Sequence, residues 1–146
     1  MDLVTGGTGI VGAHVLLELT MTGKPVRALA RPKSDRTILT RIFKHYQPDR
    51  VDELLSRINW FEGDLDSPGA LEDAMVGVRN VYHAAAMISF DPRDARTMHK
   101  VNVEGTANVV NAALIAGITR LCFVSSIAAI GEAPGHVERD ETLPWS

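Results

Sequence analysis

The chain has 146 residues, of which 45% are hydrophobic and 23% charged, with a formal net charge of -3. That length and balance suit one soluble globular domain with a real core. Lys and Arg interspersed with acids leave no basic patch for nucleic acid, no apolar run is long enough to span a membrane, and one cysteine, Cys122, excludes an internal disulfide or a cysteine zinc cage.

A short apolar run, Leu3-Val4, suits a buried strand, and Ile10, Val11, Val15, Leu16, Leu17 and Leu19 then recur at helical spacing. Between them lies TGGTGIVG, Thr5 to Gly12, a strand-to-helix turn with a glycine every third residue. A helix that starts there leaves its first N–H groups unpaired and its positive dipole end exposed, which favours a phosphate. Gly6 and Gly9 carry no side chain to keep a pyrophosphate off the backbone, and Gly12 lets the helix pack on the strand. The spacing differs from the common G-x-G-x-x-G fingerprint, and a tight turn needing positive φ is an equal reading of these glycines alone.

Pro25 to Ala30 reads as a second strand after the Gly23-Lys24 turn, and Ser34 to Arg57 as two short helices broken at Gln47-Pro48, with Asp49 as N-cap. Ile58 to Phe61 is the third strand; Ser67 as N-cap and Pro68 at the first helical position open the next helix. Asn80 to His83 is the fourth strand, leading into Ala84-Ala85-Ala86. A long helix is expected from about Arg93 to Ala116, with Met98, Val101, Val109, Ala112 and Ala113 inward and Gly117 at its stop. Arg120 to Val124 is the fifth strand, where Cys122 is expected as a small buried hydrophobe.

Strands alternating with helices imply right-handed crossovers and a parallel sheet covered on both faces. The expected α/β fold is a doubly wound, Rossmann-like sheet of order 3-2-1-4-5 in a single domain over residues 1–146. The glycine turn, Ala84 to Ala86 and Ser125-Ser126 would then converge where the winding reverses.

With TGGTGIVG, GDL (63–65), HAAA (83–86), VNVEGT (101–106) and FVSSIAAIG (123–131) in this order, the chain resembles the extended short-chain dehydrogenase/reductases. That group includes NAD-dependent epimerases and dehydratases and dihydroflavonol-reductase-like enzymes. The resemblance implies that Thr5, Gly6, Gly9, Ile10, Val11 and Gly12 hold a nicotinamide dinucleotide. It gives Asp64 a hydrogen bond from adenine, with the Leu65 backbone beside the ring, although a loop Asp capping the next helix is the simpler role. Ala84, Ala85 and Ala86 would pass beneath the pyrophosphate and ribose, Val124 and Ser125 would line the same site, and Asn102 would brace the fourth-strand region. Ser126 matches the family's Ser/Thr that contacts substrate, though a strand-end Ser bonded to a loop is the commoner fate.

NAD enzymes place an acid after the second strand for the ribose hydroxyls, whereas a 2′-phosphate calls for a cation. Here LARPKSDR puts Arg31 at that place, with Lys33 and Arg36 close behind and Asp35 too late for the ribose. NADP is therefore the expected cofactor, with NAD as the alternative; the simpler role for Arg31 is a plain surface charge or a stack on adenine. Ile88 and Phe90 could wall an apolar substrate, or simply pack.

The family's Tyr-x-x-x-Lys pair is absent: Tyr46 is followed four residues on by Arg50, and Tyr82 by Ala86. The closing ERDETLPWS resembles the acidic segment ahead of that tyrosine, so the expectation is the N-terminal, cofactor-binding portion of a longer enzyme, with an apolar edge on strand five. The leading function is the dinucleotide-binding part of an NADP-dependent oxidoreductase acting on a small-molecule carbonyl or alcohol. A nucleotide-sugar epimerase or dehydratase using NAD is the alternative, and a non-catalytic dinucleotide module the third. His14, His45, His99 and His136 show no metal-site spacing, so no metal is expected. No charged-then-apolar leader opens the chain, which points to the cytoplasm, and a homodimer through the long helix is in keeping with the family.

Overall fold

The computed structural model describes residues 1–130 and Asp140. Each apolar run forms a strand: β1 (Asp2–Thr5), β2 (Val26–Ala30), β3 (Ile58–Glu62), β4 (Asn80–His83) and β5 (Arg120–Phe123). All pair in parallel, in the order β3-β2-β1-β4-β5. The helices among the described residues are α1 (Ile10–Met21), α2 (Thr37–Tyr46), α3 (Val51–Ser56), α4 (Pro68–Met75), α5 (Ala95–His99) and α6 (Gly105–Ile115).

Strand residues alternate between the two faces, so neighbours feed separate cores. Leu3 joins Leu71, Met75, Val81 and Val109 under α4 and α6, while Val4 joins Leu16, Leu39, Phe43 and Leu54 under α1, α2 and α3. Two arginines tie strands and helices at the edges of these layers. Arg27 donates to the carbonyls of Ala74 and Val76 at 2.6 and 2.9 Å, placing a cation at the carboxyl end of α4. Arg57 donates to Thr20 C=O at 2.7 Å and pairs with Glu53 at 2.6 Å.

Three local expectations are corrected, and a fourth holds in position without its side-chain bond. Asp49 caps nothing; it lies inside a 3-10 turn, Pro48–Arg50, because Pro48 takes the first position and shifts the start to Gln47. Ser67 does stand at the N-cap of α4 with Pro68 behind it, but its side chain makes no capping bond. The long helix is interrupted: α5 passes through a π turn, Lys100–Glu104, into α6. Cys122 is exposed, because β5 is the outer strand and every one of its residues is exposed.

Leu121, Phe123 and Val124 make that edge apolar, as expected from the sequence. Gly131 and the ERDETLPWS segment, apart from Asp140, lie outside the described residues.

Phe43 is fully buried between α2 and the sheet, whereas Leu114 on α6 is 74% exposed. Phe43→Ala is expected to lower the unfolding free energy by about 3–5 kcal/mol and Leu114→Ala to change it by less than about 0.5, measured by urea denaturation.

Candidate functional site

Parallel strands send their carboxyl ends to one side, and at that side β1, β2, β3 and β4 open onto a cleft of about 680 Å³. Thr5, Gly6, Thr8 and Gly9 form one wall, and Ala30, Arg31 and Ser34 after β2 form the next. Gly63, Asp64 and Leu65 follow β3, and Ala84 to Ile88 follow β4, with Thr97 and Val101 reaching in from the α5 side.

Each glycine of the turn meets a different requirement. Gly6 has φ of 72°, and a side chain there would strike the backbone of Ala84 and Ala85 at 2.5–2.6 Å. A Cβ on Gly12 would run into the Gly6 carbonyl, so this glycine seats α1 against the turn. A Cβ on Gly9 would meet only Gly6 O, at 3.4 Å, and Gly9 itself lines the cleft. Gly9 alone of the three therefore keeps space open for a ligand; Gly6 and Gly12 serve backbone packing. The first helical bond of α1 runs from Ala13 N–H to Gly9 C=O, and no side chain caps the N–H groups ahead of it. A bare glycine surface beside uncapped N–H groups fits a pyrophosphate.

The strand ends are locked together beneath this turn. Thr5 and His83 are direct partners across β1 and β4, and both are fully buried. Thr5 Oγ1 lies 2.6 Å from His83 Nδ1, and His83 Nε2 lies 3.0 Å from Thr106 Oγ1 on α6. Burial pushes the His83 imidazole down to about 4 from its usual 6.5, so it is neutral at physiological pH. Asn102, in the π turn, accepts from Met87 N–H and donates to Met87 C=O, both at 2.8 Å.

Of the residues singled out in the sequence, Thr5, Gly6, Gly9, Arg31, Asp64, Leu65 and Ala84 to Ala86 line the cleft. Lys33 stands in an adjoining recess with Arg31, Ser34, Glu62 and Asp64. Ile10 and Val11 flank a separate apolar groove with His14, Val15 and Tyr82, leaving only their backbone to the phosphate turn. Val124, Ser125 and Ser126 are exposed and do not line the cleft; the Ser126 carbonyl accepts from Ala129 N–H at 3.0 Å. Arg36 is turned away, its guanidinium 3.9 Å from the Trp60 ring centre. Asp35, too late for a ribose, accepts from the N–H and hydroxyl of Thr37 at the start of α2. Asp64 Oδ1 accepts from Leu65 N–H at 2.7 Å. Ile88 lines the cleft at 82% exposure, while Phe90 is 98% exposed and stands outside it.

Sequence reasoning missed His83, Thr106 and Met87 as parts of this site. His83 was readable: the topology makes Thr5 and His83 the last residues of adjacent parallel strands.

A family model described as the NAD dependent epimerase/dehydratase family matches residues 3–146. Cinnamoyl-CoA reductase 1 of Oryza sativa subsp. japonica is 34% identical over 98% of this chain and 40% of its own length. The 3 beta-hydroxysteroid dehydrogenase type 7 of Rattus norvegicus is 30% identical over 92% of this chain and 38% of its own. Among solved structures, the Thermus thermophilus UDP-glucose 4-epimerase complex with NAD superposes with a TM-score of 0.76 at 27% identity, over 99% of this chain and 44% of that one. The chain thus spans well under half the length of these relatives.

Gly6→Ala combines a left-handed backbone with a backbone collision, whereas Gly23, at φ of 84°, has open space around it. Gly6→Ala is expected to cost about 3 kcal/mol or more in chemical denaturation, and Gly23→Ala only about 1 kcal/mol.

His83 supplies a pH dependence. The unfolded histidine titrates near 6.5 and the folded one near 4, so its contribution is complete above pH 6.5 and declines as pH falls toward 4. Urea unfolding at pH 7.5 and 4.5 should show wild type losing about 2–3 kcal/mol more than His83→Asn over that interval.

Proposed function

The chain belongs to the NAD dependent epimerase/dehydratase family, and from that premise we propose that it forms the dinucleotide-binding part of an NADP-dependent oxidoreductase acting on a small-molecule carbonyl or alcohol. The observation that carries the cofactor preference is Arg31. It directly follows β2, lines both the main cleft and the adjoining recess, and shares that recess with Lys33. A 2′-phosphate there meets two cations, one of them able to donate in parallel pairs.

Turn, strand ends and loop divide the work of holding the dinucleotide. The Gly9 surface and the start of α1 take the pyrophosphate, Asp64 and Leu65 face the adenine, and Ala84 to Ala86 floor the ribose side. The dinucleotide supplies or accepts the hydride when bound. Ile88 contributes an apolar wall, and Ser126, which stands outside that lining just past β5, is the hydroxyl proposed for the substrate oxygen. No Tyr-x-x-x-Lys pair occurs among these residues to supply the proton. The same reading carries a cytoplasmic protein that pairs through α6, whose Leu114 and Ile115 are exposed.

A second reading has one observation in its favour: Glu62 and Asp64 border the same recess as Arg31 and Lys33. Their charge would repel a 2′-phosphate and suit ribose hydroxyls, which favours NAD and a nucleotide-sugar epimerase or dehydratase.

Calorimetric titration with NADPH and NADH at equal salt separates the two. Tighter NADPH binding, weakened about tenfold or more by Arg31→Ala with NADH changed less than about threefold, is the expected result. Equal binding of both, untouched by Arg31→Ala, would sink the NADP preference.

A further inference from the structure

The geometry points to His83 as a positioning residue for the dinucleotide cleft: held between Thr5 and Thr106, its neutral ring fixes the Ala84-Ala85 backbone that floors the site. This inference rests on the dinucleotide reading above.

The hydrogen-bond arrangement determines where the ring proton sits. Ala85 N–H points to Thr5 Oγ1 at 3.4 Å. A hydroxyl oxygen can accept twice, so its own proton decides: among the described residues His83 Nδ1, 2.6 Å away, is the one acceptor within its reach, which makes Nδ1 the unprotonated nitrogen. The ring proton is therefore on Nε2 and is donated to Thr106 Oγ1 at 3.0 Å. Direction runs one way, from Thr5 through the imidazole to Thr106. A charged ring would carry N–H on both nitrogens and strand the Thr5 proton in a fully buried place.

What this arrangement holds is the cleft floor. Thr5 C=O accepts from Ala84 N–H at 3.2 Å, continuing the β1–β4 pairing one residue beyond His83. The Gly6 backbone rests on Ala84 and Ala85 so closely that no Cβ fits between them. A shift of Thr5 therefore moves the phosphate turn and the ribose floor together. Among the described residues, no ionisable group competes for the ring. It meets Thr5 from β1, Thr106 from α6 and Phe123 from β5, with 5.6 Å between the aromatic centres, and desolvation is the only cause of its lowered pKa.

Thr106 gives the cleanest test, because it does not line the cleft and its hydroxyl bonds to His83. Thr106→Val removes the acceptor and keeps the branched shape, while Thr106→Ser keeps the hydroxyl. Dinucleotide affinity by calorimetry at pH 7.5 should weaken about three- to tenfold in Thr106→Val and stay within about twofold in Thr106→Ser. In parallel, ¹⁵N NMR of the labelled histidines should show His83 protonated on Nε2 alone from pH 7.5 down to 5.5. Unchanged affinity in a folded Thr106→Val, or a proton on Nδ1, would overturn the inference while leaving the dinucleotide site standing. Failure of wild type to bind either dinucleotide would instead remove the reading it rests on. Should Thr106→Val not fold, the tautomer decides.

Discussion

The closeness of the Gly6 backbone to Ala84 and Ala85 is the constraint from which the site follows. β1 and β4 run side by side, but the chain leaves them in opposite directions, Gly6 toward α1 and Ala84 toward the loop before α5. Two backbones that diverge from neighbouring strands can stay in contact only where side chains are missing or small. Gly6 meets that demand with a left-handed conformation, and the three alanines with single methyl groups. Gly12 repeats the solution one layer up, where α1 rests on the Gly6 carbonyl. A cleft forms because the winding reverses there, and its floor is bare backbone because nothing larger fits.

Charge acts on a looser scale than packing. Arg31, Lys33 and Glu62 are exposed, so solvent screens them and a lone point charge such as Lys33 contributes on the order of 1 kcal/mol or less to a bound phosphate, whereas paired hydrogen bonds from Arg31 contribute roughly 1.5–3 kcal/mol. Geometry therefore decides which of them matters. Arg36 sits over Trp60, so the third cation of the run anchors the start of α2 to β3 instead of facing the recess. Asp35 is likewise engaged with Thr37, and Asp64 gives one oxygen to Leu65 N–H. What remains directed at the recess is Arg31 with Lys33 against Glu62.

Much of this was readable from periodicity. The strands were found because each apolar run is short and bounded by turn residues, and their order follows from right-handed crossovers. Expectation failed where partners distant in sequence decide the outcome. Asp49 is a good capping residue that Pro48 displaced into the turn. Cys122 lies in an apolar run, yet burial depends on cover, and β5 stands at the sheet's edge. The divergent roles of Gly6 and Gly9, indistinguishable as letters, depend on a β4 backbone nearly eighty residues away.

The helix after the cleft shows how poor local choices become consistent at the level of the fold. Asn102, Thr106 and Asn108 are weak helix formers in or beside a π turn, and from sequence alone they read as a cost. Each is turned onto a different edge of the cleft. Asn102 holds both backbone groups of Met87, Thr106 receives the imidazole of His83, and Asn108 donates to Leu65 C=O at 2.9 Å. The loop after β3, the end of β4 and the loop after β4 are thus fixed by one helical segment. A buried backbone group without a partner costs about 1–3 kcal/mol, more than the few tenths that Asn or Thr loses to Ala in a helix. The polar residues win that comparison, so a helix of modest propensity becomes the frame that keeps three cleft edges in register.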